Sequence, residues 1–520
     1  MKTKLFFILA ILFSVALYSQ DTTWINEGQI SGTWTLAGSP YLIMCETTIP
    51  NDSTLTIEPG VRVEWQGSYT MWVQGQILAQ GTETDSITFT AADTATGWRS
   101  IRFDNTPGTN DTSRFEYCVF RYGMVYGKWP DNCGGAIGVI SFNKMVIDHC
   151  LFDQNEATDV SLYPNPGGGA IALDNSSPVI RNSRFTNNLS LVGGAIICNG
   201  GSNGPIYNNE FTGNTVITYG AWGQGYGGAL CMYLYSDPAV SHNTFSSNHA
   251  GNSGGAIVCI NGCNPRIDHN LVYNNTADTV GGGIEILDNC SPELINNTIA
   301  NNESAFGGGV DVSYGSTPEI RNTIIWGNTA VTAGNQVNIN DTTCVPDFYY
   351  CDIEGGKAAF GGYPDTGKYE NCMDEDPEFE DPLSGFYGLM NCIYVAVSPC
   401  IDAGDPDPQY NDPGGSRNDM GSLWPPIPCD YIYEKNSDNV LVYPNPVYSE
   451  AIVEYELVQP SLIGITLVNQ LGQEIMVIPI RRSPAGKQKI SINVSTLPQG
   501  VYFIKLQKGN EIAARKMIRL

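Results

Sequence analysis

GGAIVCINGCNPRIDHNLVYNNTADTVGGGIEILDNCSPELINNTIANN, residues 254–302, contains the same unit almost twice. Each copy opens with a glycine pair. Each closes with an apolar residue and an asparagine three places on: Val272 with Asn275, Ile299 with Asn302. A proline, Pro265 or Pro292, stands seven residues before that apolar position. Between these marks branched and polar residues alternate in short runs, which is the strand period, and no 3.6-residue period is sustained. A unit of 25 to 27 residues cannot bury its apolar face alone, so copies must stack.

The unit extends in both directions. GGAI recurs at 134, 168 and 193, GGAL at 227, and GGGV at 307 or 308 depending on frame. The closing block reads FDQN at 152, FTNN at 185, FTGN at 211, FSSN at 245 and IWGN at 325, and further prolines fall at Pro178, Pro238 and Pro318. Stacking at the strand-pairing distance, roughly 4.8 Å, predicts columns of like residues. One column is Asn155, Asn188, Asn214, Asn248, Asn275, Asn302 and Asn328. Asparagine tolerates a left-handed turn, and its amide can hydrogen-bond along a stack. A second is the inward apolar column Ile137, Ile171, Ile196, Leu230, Ile257, Ile284, Val310 and Val337. The glycine pairs mark a corner that needs positive φ or close approach. The expected fold is all-β: a right-handed, single-stranded parallel β-helix, or solenoid, followed by a small antiparallel β-sandwich.

The GGAI and FxxN pairs resemble the repeats of polymorphic outer-membrane proteins, β-helical adhesins, and the wider pectin-lyase-like β-helix class. The resemblance covers about residues 130–340 and implies a fold more than a function. TLTIEPGVRVEW at 54–65 and MWVQGQILAQGTETDSITFTA at 71–91 resemble the first coils of secreted β-helix proteins, with Trp24 to Pro40 as the cap. EDPEFEDP at 375–382, SPCIDAGDPD at 398–407 and RNDMG at 417–421 resemble their closing segment. From about 438 the glycine pairs vanish. VYPNP at 442, NQLGQEI at 469, LPQGVYFIKL at 497 and KMIRL at 516 resemble the type A sorting domain of the type IX secretion system. That resemblance implies translocation across the outer membrane by the type IX machinery, removal of the tail, and release or anchoring at the cell surface.

At the other end Lys2 and Lys4 precede an apolar run, Leu5 to Val15, then small or polar residues to Gln20. This reads as a signal peptide, too short to span a membrane, and no later stretch is long and apolar enough to do so. The organisation expected is a signal peptide at 1–20, a capped β-helix at 21–345 with its repeats at about 134–330, a closing region at 346–430, a linker at 431–437 and the sorting domain at 438–520. Acidic residues outnumber basic ones 53 to 26, for a net charge of -27. Such a field repels nucleic acid and anionic membranes and attracts cations.

Several groups are candidates for chemistry. Glu285 and Asp311 each follow the inward apolar residue, so alternation points them outward on adjacent coils about 5 Å apart, the separation of a retaining glycosidase pair. The coils lengthen at 121–133, 156–167 and 215–226, all from one corner, carrying Tyr122, Tyr126, Trp129, Tyr163, Tyr219, Trp222 and Tyr226. Exposed aromatic platforms take sugar faces or protein surfaces. Asp402, Asp405, Asp407, Asp412 and Asp419, around Gly and Pro turns, suit calcium, and no other cofactor is indicated. The fifteen cysteines suit an oxidising compartment. Cys118 with Cys150 and Cys263 with Cys290 fall at like positions on adjacent coils, within bridging range. His149, His242 and His269 occupy a column otherwise filled by Asn182, Asn208, Asn296 and Asn322, which favours a structural role. His242 and His269 sit on consecutive coils, where they could stack or share a metal. His249 lies outside that column and has no Ser or Cys partner for a triad. The leading function is a non-catalytic, secreted or surface β-helix that binds glycan or a protein partner. Alternatives are a carbohydrate-active enzyme using Glu285 and Asp311, and a purely structural stalk.

Overall fold

Each repeat closes one turn of a coil because every strand is short and every corner has its own chemistry. In the computed structural model, residues 22–159, 167–218, 225–392, 396–422, 427–428, 440–443, 447, 449–457, 459–469, 473–498, 500–508 and 511–519 are described. The chain divides into two compact units, residues 1–387 with 398–424, and residues 388–397 with 425–520.

In the first unit three long parallel sheets run side by side. Sheet A has 13 strands, from Thr23–Ile25 to Asp352–Ile353; sheet B has 12, from Thr47–Ile49 to Gly361–Gly362; sheet C has 13, from Gly32–Trp34 to Tyr369–Glu370. A fourth, sheet D, has eight short strands, from Met124–Val125 to Thr329–Ala333. Like stands over like: Ile257 pairs with Ile284, Ile284 with Val310 and Val310 with Val337. Down sheet A, Phe120, Phe152, Phe185, Phe211 and Phe245 stack with ring centroids 4.6–4.8 Å apart and planes within 9°. All five rings are fully buried. Each contributes about 1.5–3 kcal/mol by leaving water, and each stacked pair roughly 0.5–1.5 kcal/mol more.

Three of the four corners follow one rule: a left-handed residue, then a buried polar side chain that accepts from its neighbour's backbone. Between sheets A and D the left-handed positions include Asn187, Ser247 and Asn274. After them come Asn188, Asn248 and Asn275. From Asn188 to Asn328 each asparagine Oδ1 accepts from the backbone N–H and Nδ2 of the asparagine on the previous coil, as Asn214 Oδ1 accepts from Asn188 at 3.1 and 2.8 Å; Asn155 Oδ1 accepts from Gly123 N at 3.0 Å. This is the asparagine column read from the repeats.

Between sheets C and A the histidine column is a column of corner residues. His149, Asn182, Asn208, His242, His269, Asn296 and Asn322 are the left-handed corner residues, with φ of 50–55°. The hydrogen-bonded ladder lies one place on, through Cys150, Ser183, Asn209, Asn243, Asn270, Asn297 and Thr323. Between sheets B and C a third ladder runs through Ser176, Ser202, Ser236, Cys263, Cys290 and Ser316. Cysteine thus replaces serine or asparagine as a compact buried acceptor and weak donor.

The fourth corner is the glycine pair, and its two members serve different needs. Gly193 has φ of +61°, while a Cβ on Gly194 would lie 1.9 Å from the carbonyl oxygen of Gly228 on the next coil. The first supplies conformation and the second supplies room.

In the second unit Glu450–Leu457 pairs antiparallel with Leu441–Tyr443 and Gly486–Asn493. Ser461–Asn469 lies between Glu474–Ser483 and Gly500–Lys508, which pairs with Glu511–Arg519. Val453, Tyr455, Ile465, Ile492, Ile504 and Leu506 share one core from both sheets. The Tyr455 hydroxyl reaches Ser483 of the opposite sheet at 3.1 Å. Residues 1–21 and 429–439, which hold the expected signal peptide and linker, lie outside the described residues. Among the described residues no helix is long and apolar enough to cross a membrane.

Candidate functional site

On the outer face of sheet B a groove is built around a buried arginine. Arg102 follows the inward Ile101 on strand Ile101–Phe103, so its side chain leaves the core. On the next coil its register partner is Gly138, and a Cβ there would lie 2.9 Å from Nη1. The glycine lets the guanidinium lie flat over the sheet. Nη1 donates to the Pro130 carbonyl at 2.7 Å, and Nη2 to those of Asp131 at 2.9 Å and Cys133 at 2.6 Å. Charge-assisted bonds of this kind are worth about 1.5–3 kcal/mol each. They pin the first insertion, residues 121–133, against the sheet and set Trp129, 44% exposed, at the groove's rim.

The groove holds about 380 Å³. Gly138, Ala172 and Ile197, on three successive coils, form an apolar floor. Asp174 and Asn199, paired in register, form a polar edge, and Tyr233 and the exposed Leu234 close the far end. Burial raises the Asp174 carboxyl above its usual range, against the opposing hydrogen bond from Asn199. Asn199 Nδ2 donates to Asp174 Oδ1 at 3.0 Å, while its Oδ1 has no hydrogen-bond partner among the described residues.

The predicted aromatic corner is divided by the structure. All three insertions leave after a strand of sheet D: Met124–Val125, Glu156–Ala157 and Thr215–Val216. Trp129 lines the groove. Tyr126 is exposed, with the Arg99 guanidinium 4.7 Å over its ring and its hydroxyl 2.8 Å from Ser68 Oγ. Tyr122 packs on the solenoid core, and Tyr226 is half-buried against Cys231 and Val258, bridged to Val192 and Ser253. These two are packing residues and not platforms, because the backbone turns back into the coil at each. Tyr163, Tyr219 and Trp222 lie outside the described residues.

Glu285 and Asp311 pair in register as expected. They are not solvent-facing: Glu285 is 1% exposed and Asp311 0%. The glycine corner folds beside them, bringing a Cβ position at Gly281 within 3.0 Å of the Glu285 Cβ and one at Gly307 within 2.9 Å of the Asp311 Cβ. Asp311 accepts from Ser313 Oγ at 2.6 Å and from Asn338 Nδ2 at 2.5 Å. Burial, and then the Asp311 charge, push Glu285 well above the carboxylate range. Asp311 is also raised, by burial, but its two donors favour its charge. Burial thus favours the neutral form of both carboxyls, Glu285 the more so. Closed from solvent, the pair offers no sugar a route to either carboxyl.

In the closing region Asp402, Asp412 and Asp419 bring carboxylate oxygens within 4.8 Å of one another. Burial pushes Asp419 up to about 6 and also raises Asp412. Three oxygen donors at this spacing could hold a hard divalent cation. The other two candidates are engaged elsewhere. Asp405 pairs with Arg321, whose guanidinium lies between the rings of Tyr349 and Tyr410 at 4.5 and 5.2 Å, and Asp407 caps Gln409 N at 3.1 Å. The segment docks on the corner column: Asn296 Nδ2 donates to Asn418 Oδ1 at 2.9 Å, and Asp405 N to Asn322 Oδ1 at 2.7 Å.

The cysteine pairs are neighbours but stand as free thiols. Cys118 Sγ donates to the Ala79 carbonyl and Cys150 Sγ to that of Phe115, both at 3.3 Å, and Cys263 Sγ to that of Ile260 at 3.2 Å. Each sulfur also interacts with its twin, Cys118 with Cys150 and Cys263 with Cys290. His242 and His269 stack with ring centroids 4.8 Å apart and planes 1° apart. His249 Nδ1 lies 2.9 Å from Thr276 Oγ1 and Nε2 3.9 Å from Asp278.

The sequence reading missed Arg102, Asp174, Asn199 and Tyr233. A signal existed: IRF at 101–103 aligns with IGV at 137–139, which sets a charged residue beside a glycine, with small or apolar residues on the next four coils of that outward column.

Comparison with known proteins adds four findings. A family model described as right handed beta helix region matches residues 49–325 and 224–360, together more than half of the chain. A second, described as secretion system C-terminal sorting domain, matches residues 441–519. The chain is similar, at 10% identity, to the enzymatically active domain of tailspike protein 4 of bacteriophage CBA120. That alignment covers 89% of this chain and 63% of the other, with a TM-score of 0.23, so the chain spans less than two thirds of that domain. No curated protein matches.

Proposed function

The chain belongs to the right-handed β-helix family and carries a type IX sorting domain that directs it to the outside or the cell surface, and on that premise we propose that its solenoid is a non-catalytic module that binds glycan in the groove on sheet B. The observation that carries this reading is the groove itself: an apolar floor, an exposed indole at the rim and a carboxylate–amide pair along one edge. Sugar rings present an apolar C–H face and a rim of hydroxyls, and an aromatic face with nearby polar groups suits both. The floor spans three coils, about 10 Å between its first and last strands, which suits two or three sugar units. The buried state of Glu285 and Asp311 argues against glycoside cleavage by that pair.

The test is a polysaccharide screen with the full secreted chain, reading retention and released reducing sugar together. Retention without cleavage is expected, and Trp129→Ala is expected to weaken it about tenfold or more. Reducing sugar released by the wild type and lost in Glu285→Gln would replace this reading with the enzymatic one.

A further inference from the structure

We infer that the glycan taken by this groove carries no carboxylate, sulfate or phosphate: it is a neutral or amino-bearing chain. The inference rests on the reading of the groove as a glycan site and specifies its ligand by charge. Among the described residues two charged side chains line the groove, Arg102 and Asp174. Arg102 would be the natural partner for an anionic sugar, yet it is 3% exposed and its donors face the carbonyls of Pro130, Asp131 and Cys133. Its charge holds the rim in place and presents no free fork to a ligand.

What remains on the polar edge is acceptor chemistry. Asp174 is a carboxylate whose Oδ1 already receives Asn199 Nδ2. The amide donor is thereby occupied, and the Asn199 oxygen is itself buried, so the acceptor the edge presents is the Asp174 carboxylate. An acceptor edge of this kind selects a ligand that brings donors. Sugar hydroxyls and ammonium groups do so; a uronate or a sulfate ester brings further acceptors and a like charge. At about 5 Å from Asp174 such a charge is repelled most strongly where the floor excludes water. The net charge of -27 adds a longer-range repulsion, screened beyond roughly 8 Å at physiological salt.

The experiment compares oligosaccharides of equal length by calorimetry on the full chain at about 0.15 M salt: a neutral glucan, a glucosamine oligomer, a uronate oligomer and a sulfated oligomer. Neutral and amino-bearing ligands are expected to bind at least about tenfold tighter than the acidic ones. Asp174→Asn should narrow that gap and weaken the glucosamine oligomer most. Trp129→Ala should weaken binding of the neutral and amino-bearing ligands about tenfold or more, and Trp129→Phe, which keeps a ring, should restore part of it. Acidic ligands that bind as tightly as neutral ones, through Trp129, would overturn the charge inference and leave the glycan reading intact. If no oligosaccharide binds, or if binding is indifferent to Trp129, the glycan reading itself fails and the inference goes with it.

Discussion

Asn214 sits in the middle of the ladder between sheets A and D, and its replacement tests the stacking principle most directly. The side chain is fully buried. Its Oδ1 accepts from Asn188 N at 3.1 Å and Asn188 Nδ2 at 2.8 Å; its Nδ2 donates to the Phe185 carbonyl at 2.8 Å and to Asn248 Oδ1 at 2.9 Å. Alanine removes all four bonds. Asn248 Oδ1 keeps the backbone N–H of residue 214, but the two Asn188 donors lose their acceptor and the Phe185 carbonyl loses a donor. At about 1–3 kcal/mol for each buried group left unpaired, Asn214→Ala should cost roughly 3–9 kcal/mol. Asn214→Asp keeps the volume and both accepted bonds but points a carboxylate at two oxygens. It should be at least as damaging at pH 7 and recover in part on acidification, when the protonated acid can donate. The assay is guanidinium unfolding, with hydrogen exchange over 185–190, 211–216 and 245–250 to localise the loss. In a solenoid each coil couples mainly to its neighbours, so exchange should rise there first. A change below about 0.5 kcal/mol for Asn214→Ala, with unaltered exchange, would refute the claim that these amides hold the coils in register.

Asp352 is fully buried, accepts from Cys400 Sγ at 3.1 Å and Glu375 N at 3.1 Å, and is pushed by burial up to about 7. Its folded value lies above its unfolded one, so its contribution to stability is full below about pH 4 and is lost as pH rises through 7. Asp352→Asn should raise the unfolding midpoint at pH 8 and flatten its pH dependence between 4 and 8; an unchanged profile would refute this. Arg102→Met should speed amide exchange over residues 127–133 and weaken glycan retention about tenfold without altering the exchange of the coils; unaltered exchange in the insertion would show that the three carbonyl bonds do not hold it. Cys263→Ser should change stability by less than about 1 kcal/mol, because serine fills the same ladder at positions 236 and 316, whereas Cys263→Val should cost roughly 1–3 kcal/mol by leaving the Ser236 N–H without its acceptor; equal costs would remove the ladder role.

The repeat alone determined the solenoid, its inward columns, the asparagine ladder and the register of Glu285 on Asp311. Parallel coils are related by translation at the strand spacing, so spacing in sequence becomes position in space with little else to decide. The tail was equally legible, because its motifs are local. What the sequence could not settle was which outward positions meet water. Glu285 and Asp311 alternate correctly, yet the glycine corner closes over them. Their burial is a property of how the chain returns to the sheet, not of the strand that carries them. The histidine column and the true ladder differ by one residue, and only the sign of φ at His242 separates corner from ladder. The groove was least legible of all. Arg102 and Cys133, on different coils, meet only because Gly138 leaves the space between them empty, and that is a contact made by folding.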